Sequence, residues 1–148
     1  MPDTNIPAPP TDTRILYDDL YSLINDCNVM AVQGNMLVSV FVVADSTLLS
    51  ENEQAMVLQS AREVEARYQV IADKLDALED ADTDGTLQQA FSAWEASFTS
   101  IRISTTMLLQ SVAWEMDAQS RLDLAQNIVD GSKQVAKAIP SLLATLQA

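Results

Sequence analysis

Leu16, Leu20, Leu23, Cys27, Met30, Gly34, Leu37, Phe41 and Ala44 follow one another at alternating steps of four and three residues. A chain that holds such a seam over several heptads is committed to a long helix, because the repeat keeps one face turned toward a neighbour. The seam passes through Met36–Ala44 (Met-Leu-Val-Ser-Val-Phe-Val-Val-Ala), the densest apolar run in the sequence. Taken alone, that Val-rich run reads as a buried strand. A strand would have to restart with a period of two, so the unbroken register predicts one helix from about Asp12 to about Asp45.

The same helix carries a second apolar stripe, Val29, Val32, Met36, Val40 and Val43. At 3.6 residues per turn it lies roughly opposite the first seam. A helix that is apolar on two faces asks for cover on both. Two arrangements satisfy that demand. Either this is the central helix of a closed bundle, or one face folds the subunit and the other joins it to a second subunit. The second arrangement makes the five stripe residues candidate interface residues. A stable membrane span is not expected, since the run is shorter than the ~20 apolar residues a span needs and Gln33, Gly34 and Asn35 interrupt it upstream.

Downstream, Ser50 with Glu53 three residues later forms a capping box for a second helix. Val57, Ala61, Val64, Tyr68, Ile71, Leu75 and Leu78 give it one narrow seam, with charged residues on its back. The short turn before it favours an antiparallel helical hairpin. A third helix is expected from about Thr86, with the seam Leu87, Phe91, Trp94, Phe98, Ile101, Thr105, Leu108 and Val112, and both tryptophans are assigned to it. A Trp/Phe stripe at this spacing reads as core. Beyond Val112 the phase slips, and a new seam runs from Ala125 through Ile128, Ser132, Val135, Ile139, Leu142 and Leu146. Asp130–Gly131 and Pro140 predict a bend or break near Asn127–Ser132 and a last helical segment that kinks or restarts at Pro140. The fold class is therefore all-α: long heptad-patterned helices in an antiparallel hairpin or bundle. Residues 1–11, with four prolines, read as an extended or mobile arm, and residues 12–148 as a single helical domain.

Composition narrows the function. The 148 residues carry a formal net charge of -13, which disfavours nucleic acid and anionic membrane surfaces as partners. Histidine is absent, removing the usual general base and the commonest transition-metal ligand. The one cysteine, Cys27, sits on the first seam and reads as a small core hydrophobe. No phosphate loop, nucleophile elbow or paired-cysteine motif occurs, and no inward pair of glutamates suggests a bundle metal site, so no enzyme is expected. No cleavable signal peptide is visible, which leaves a cytoplasmic, virion or signal-independent export setting.

One acidic turn stands out. Asp80, Asp82 and Asp84, followed by Gly85, match the first half of a calcium loop, but the twelfth position is Phe91 where a bidentate Glu belongs. The three aspartates are thus a calcium candidate of weak affinity, and otherwise an acidic turn; no other cofactor is expected. The order of N-terminal arm, apolar helix, polar heptad helix, loop and C-terminal heptad helix resembles the filament-forming subunits of type III secretion needles, and small helical virion proteins are similar in layout. That resemblance implies self-assembly. The expected function is a structural or assembly subunit, a homo-oligomer joined through the second stripe. The alternative is a helical adaptor, small chaperone or inhibitor that holds a partner protein's helix in its groove.

Overall fold

The computed structural model describes residues 13–44, 46–81 and 88–147. Among them the chain is all-helical, with no strand: α1 (Thr13–Val43), α2 (Glu51–Ala81), α3 (Gln88–Ser111) and α4 (Ala118–Gln147). The helices form a bundle in which α1 packs on α2 and α4, and α3 packs on α2 and α4. Among the described residues the backbones of α1 and α3 do not adjoin, nor do those of α2 and α4, so each pair occupies opposite corners. The N-terminal arm expected over residues 1–11 lies outside the described residues.

The seams supply the core. Leu20, Leu23, Cys27, Met30, Leu37 and Phe41 of α1 are buried, with Val57, Val64, Ile71 and Leu78 of α2, Trp94, Ile101 and Leu108 of α3, and Ile128, Val135 and Ile139 of α4. Tyr68 meets Phe98 edge-on at 5.8 Å between ring centroids, and Phe91 meets Trp94 at 5.7 Å. Polar seam residues are satisfied within their own helices: Thr105 Oγ1 donates to the Ile101 carbonyl at 2.7 Å and Ser132 Oγ to the Ile128 carbonyl at 2.6 Å. The capping box at α2 is present, with the Ser50 amide donating to Glu53 Oε1 at 2.8 Å and the Glu53 amide to Ser50 Oγ at 3.2 Å.

The C-terminal half corrects the sequence reading. The chain breaks at 112–117, and α4 continues through both Gly131 and Pro140. Gly131 is a packing residue: a Cβ there would fall 2.7 Å from Ile101 Cγ1 and 3.2 Å from the Ser97 carbonyl oxygen of α3. Gly34 does the same between α1 and α4, where a Cβ would fall 2.9 Å from Val129 Cγ2. The new helix starts on Asp117, whose carboxylate accepts from the Ser120 amide at 3.3 Å in the manner of an N-cap. Trp114, assigned by spacing to the third helix, instead lies in the loop and is 64% exposed.

Candidate functional site

The second stripe of α1 is not covered by the rest of the subunit. Val43 is 79% exposed, Val32 60% and Met36 52%, while Val29 and Val40 are half-buried. Val40 also packs against the core. A closed bundle that buries both faces of α1 is thus not what forms; α2 and α4 cover the seam side and leave the other. Met36, Val40 and Val43 line one wall of a groove whose other wall is Met56, Gln59 and Ser60 of α2, with Glu53 and Glu63. Its volume is about 490 Å³. The floor is apolar with two flexible thioethers, a surface that adapts to what it meets. The lining contains carboxylates and neither Lys nor Arg.

Further along the same two helices, an ionic cluster centred on a buried carboxylate joins α1 to α2. Asp26 of α1 is buried, and accepts from Arg67 Nη1 at 2.9 Å and from Lys74 Nζ at 2.6 Å. The two cations keep about a third of their side chains in solvent, so Asp26 carries most of the desolvation. Among the described residues Asp26 is the buried carboxylate. Its signal was the pair Arg67 and Lys74, one heptad apart and so on one face of α2. Neighbouring Cys27 has its thiol pushed up to about 12, first by burial and then by the Asp26 charge. A thiol so raised is a packing group and not a nucleophile.

A second buried charge sits at the end of the bundle. Arg121 of α4 is 2% exposed. Its Nη1 donates to the Ser46 carbonyl at 3.2 Å, and its Nη2 to the carbonyls of Thr47 at 2.7 Å and Trp114 at 2.9 Å. One guanidinium therefore ties the α1–α2 loop to the α3–α4 loop, helped by the Met116 amide donating to Thr47 O at 2.9 Å. Desolvation lowers its pKa from the usual value, with the Glu53 carboxylate acting against that shift. Spacing carries a sign of this burial: Arg121 lies four residues before Ala125, one step back along the seam of Ala125, Ile128, Ser132, Val135 and Ile139.

The calcium candidate is not assembled by the described residues. Asp80 is exposed at the end of α2, and Asp82 and Asp84 lie outside the described residues. Among the described residues no group of three or more Cys, Asp or Glu is placed to hold a metal. Leu20–Val43 is long and apolar enough to cross a membrane by length and composition, although the shorter run argued against a span. In this fold its seam is core, and the core helix of a bundle passes the same test. No protein-family model, curated protein or solved structure matches the chain.

Proposed function

We propose that this chain is a non-enzymatic assembly subunit that associates with further copies of itself through the α1–α2 face. The observation that supports the reading is the uncovered stripe: Val32, Met36 and Val43 remain in solvent after the seam of the same helix has been buried. Contiguous exposed apolar surface of this kind marks interaction sites on soluble proteins. In this reading α1 and α2 form an antiparallel hairpin built on heptad seams. The pairing of Asp26 with Arg67 and Lys74, and of Val43 with the Glu53–Met56 end of the groove, supports that direction. The resemblance in layout to needle and virion subunits points to a filament, a secretion apparatus or a virion as the setting.

Light scattering beside circular dichroism tests the proposal. Met36→Asp and Val43→Asp place a charge where the free subunit already meets water, so each should keep the helix signal and melting temperature while association is lost. Leu23→Asp, in the core, is the contrast: an unpaired buried charge costs several kcal/mol, a large part of the ~5–15 kcal/mol that holds a domain, and the chain should unfold. If Val43→Asp leaves association as it was, the stripe is not the joint. A second reading, an adaptor that takes a partner's amphipathic helix in the groove, draws on the Glu53 and Glu63 rim, which suits a helix with basic flanks.

A further inference from the structure

We propose that the cleft between α2 and α3 is a binding site for a small quaternary ammonium compound that carries a net positive charge. It lies on the α3 side of α2 and shares no residue with the α1–α2 groove, so it is independent of the self-association reading. Helical spacing assembles it. Tyr68, Ala72, Leu75 and Glu79 of α2 follow at steps of three and four, as do Phe91, Trp94 and Phe98 of α3, so each set shares a face. Half of the chain's two Trp, three Tyr and three Phe therefore border one cleft. Its lining divides cleanly by depth. Trp94 and Phe98 are buried, and Tyr68, Ala72, Leu75 and Phe91 are half-buried. The polar remainder, Asp76, Glu79, Gln88, Ser92 and Glu95, is exposed. The site thus has an aromatic and aliphatic floor and a polar rim.

Floor and rim both select a cation. The face of an aromatic ring is negative and attracts a positive group set over it. Tyr68 and Phe98 stand at 73° to each other, and Phe91 and Trp94 at 80°. Crossed planes are the arrangement in which more than one ring face can be turned to the same small cation. The rim adds three carboxylates, and the lining has neither Lys nor Arg. Among the described residues Asp76, Glu79 and Glu95 are in no ion pair. Lys74, two residues from Asp76, is drawn to the α1 side, where it donates to Asp26. Arg102 lies seven residues beyond Glu95, about 10 Å along the axis.

The division between floor and rim narrows the chemistry of the occupant. A primary ammonium pushed onto the floor would leave N–H donors without acceptors, which is costly. Methyl groups on the nitrogen need no partner and pack on rings and on Leu75. A zwitterion such as a carboxymethyl or phosphate derivative would bring an anion to a rim of three carboxylates, an unfavourable pairing of like charges. The volume, about 280 Å³, falls just below the ~300–1,000 Å³ of pockets for drug-sized ligands, so the occupant is a small molecule and not a helix.

Titration of the full chain with choline at constant ionic strength tests this. Calorimetry reads the wild type, and Trp94 fluorescence reads a Trp114→Phe chain, in which the backbone carbonyl held by Arg121 is kept. Choline should bind roughly tenfold more tightly than 3,3-dimethyl-1-butanol, its uncharged isostere, since only the cation gains the ring faces and the rim. Ethanolamine, the primary amine, and glycine betaine, the zwitterion, should both bind more weakly than choline. Asp76→Asn, Glu79→Gln and Glu95→Gln, all at exposed positions, should together weaken choline severalfold with an unchanged melting curve. Phe91→Leu keeps an apolar side chain in a half-buried place and should weaken choline while leaving the alcohol as it was. No choline binding, or equal binding of choline and the alcohol, overturns the proposal. Choline affinity unchanged in both the carboxylate and the Phe91 variants overturns the site, and betaine binding as well as choline overturns the selection for net charge.

Discussion

At Gly131 the backbone of α4 lies against α3, and the missing side chain can be weighed against its cost. Alanine would gain about 1 kcal/mol of helix propensity over glycine. Its Cβ would meet Ile101 Cγ1, a branch carbon of a fully buried side chain, and the Ser97 carbonyl oxygen of the backbone. Neither can swing aside, and overpacking of this sort costs about 1–3 kcal/mol. Gly131→Ala should therefore destabilise the protein, lowering the melting temperature by a few degrees, although helix propensity alone predicts a rise. Gly34→Ala should lose somewhat less, because its closest contact is longer, 2.9 Å to Val129 Cγ2, with Ile128 Cγ2 at 3.0 Å and the Val129 amide nitrogen at 3.3 Å. A melting temperature at or above wild type for Gly131→Ala would mean that α3 and α4 stand further apart.

At the scale of elements, Arg121 binds two connections that the helices alone do not fix in place. Arg121→Met keeps much of the volume but removes the donors that serve Ser46, Thr47 and Trp114. Hydrogen bonds from a charged group contribute about 1.5–3 kcal/mol each; Ser46, Thr47 and Trp114 are exposed and Thr47 O keeps the Met116 amide, which reduces the loss, so thermal unfolding should shift down by a few degrees. Limited proteolysis should find the 46–50 and 112–117 loops first, with the helix signal at low temperature unchanged; equal stability and equal protection would show that the guanidinium is dispensable. The same elements mark what the sequence could and could not reveal. Helices α1 and α2 were legible as helices because apolar periodicity and cap agreed, and Ser50 and Glu53 do what their spacing says. The α3–α4 boundary was misplaced because Gly131 and Pro140 were weighed as helix breakers. Helix propensity is local, whereas the demand for a glycine at Gly131 comes from α3. The true boundary had a local sign, Asp117 three residues before Ser120, on a stretch with neither glycine nor proline. The groove was half legible: spacing identified the apolar stripe Val29, Val32, Met36, Val40 and Val43, but which side α2 and α4 would cover is a tertiary outcome.

For the whole molecule, the sign of the salt effect separates the two functional readings. Each copy carries a formal net charge of -13, so two copies repel before any surfaces touch. Raising ionic strength from 0.1 M to 1 M shortens the screening length from about 10 Å to about 3 Å, which removes most of that long-range repulsion. The apolar joint proposed here is not weakened by the same change, and single exposed ion pairs are a small term beside the full charge of both bodies. Self-association should therefore tighten as salt rises, by roughly tenfold if about 1.4 kcal/mol of repulsion is screened. Capture of a basic partner helix by the acidic groove has the opposite sign, since its attraction is what salt screens. Sedimentation of the purified chain across a salt series measures the first directly. If association weakens as salt is added, ion pairs and not the Met36–Val43 stripe hold the copies together. A chain that stays monomeric throughout leaves the adaptor reading, in which the Glu53 and Glu63 rim attracts a basic helix, as the better account of the exposed groove.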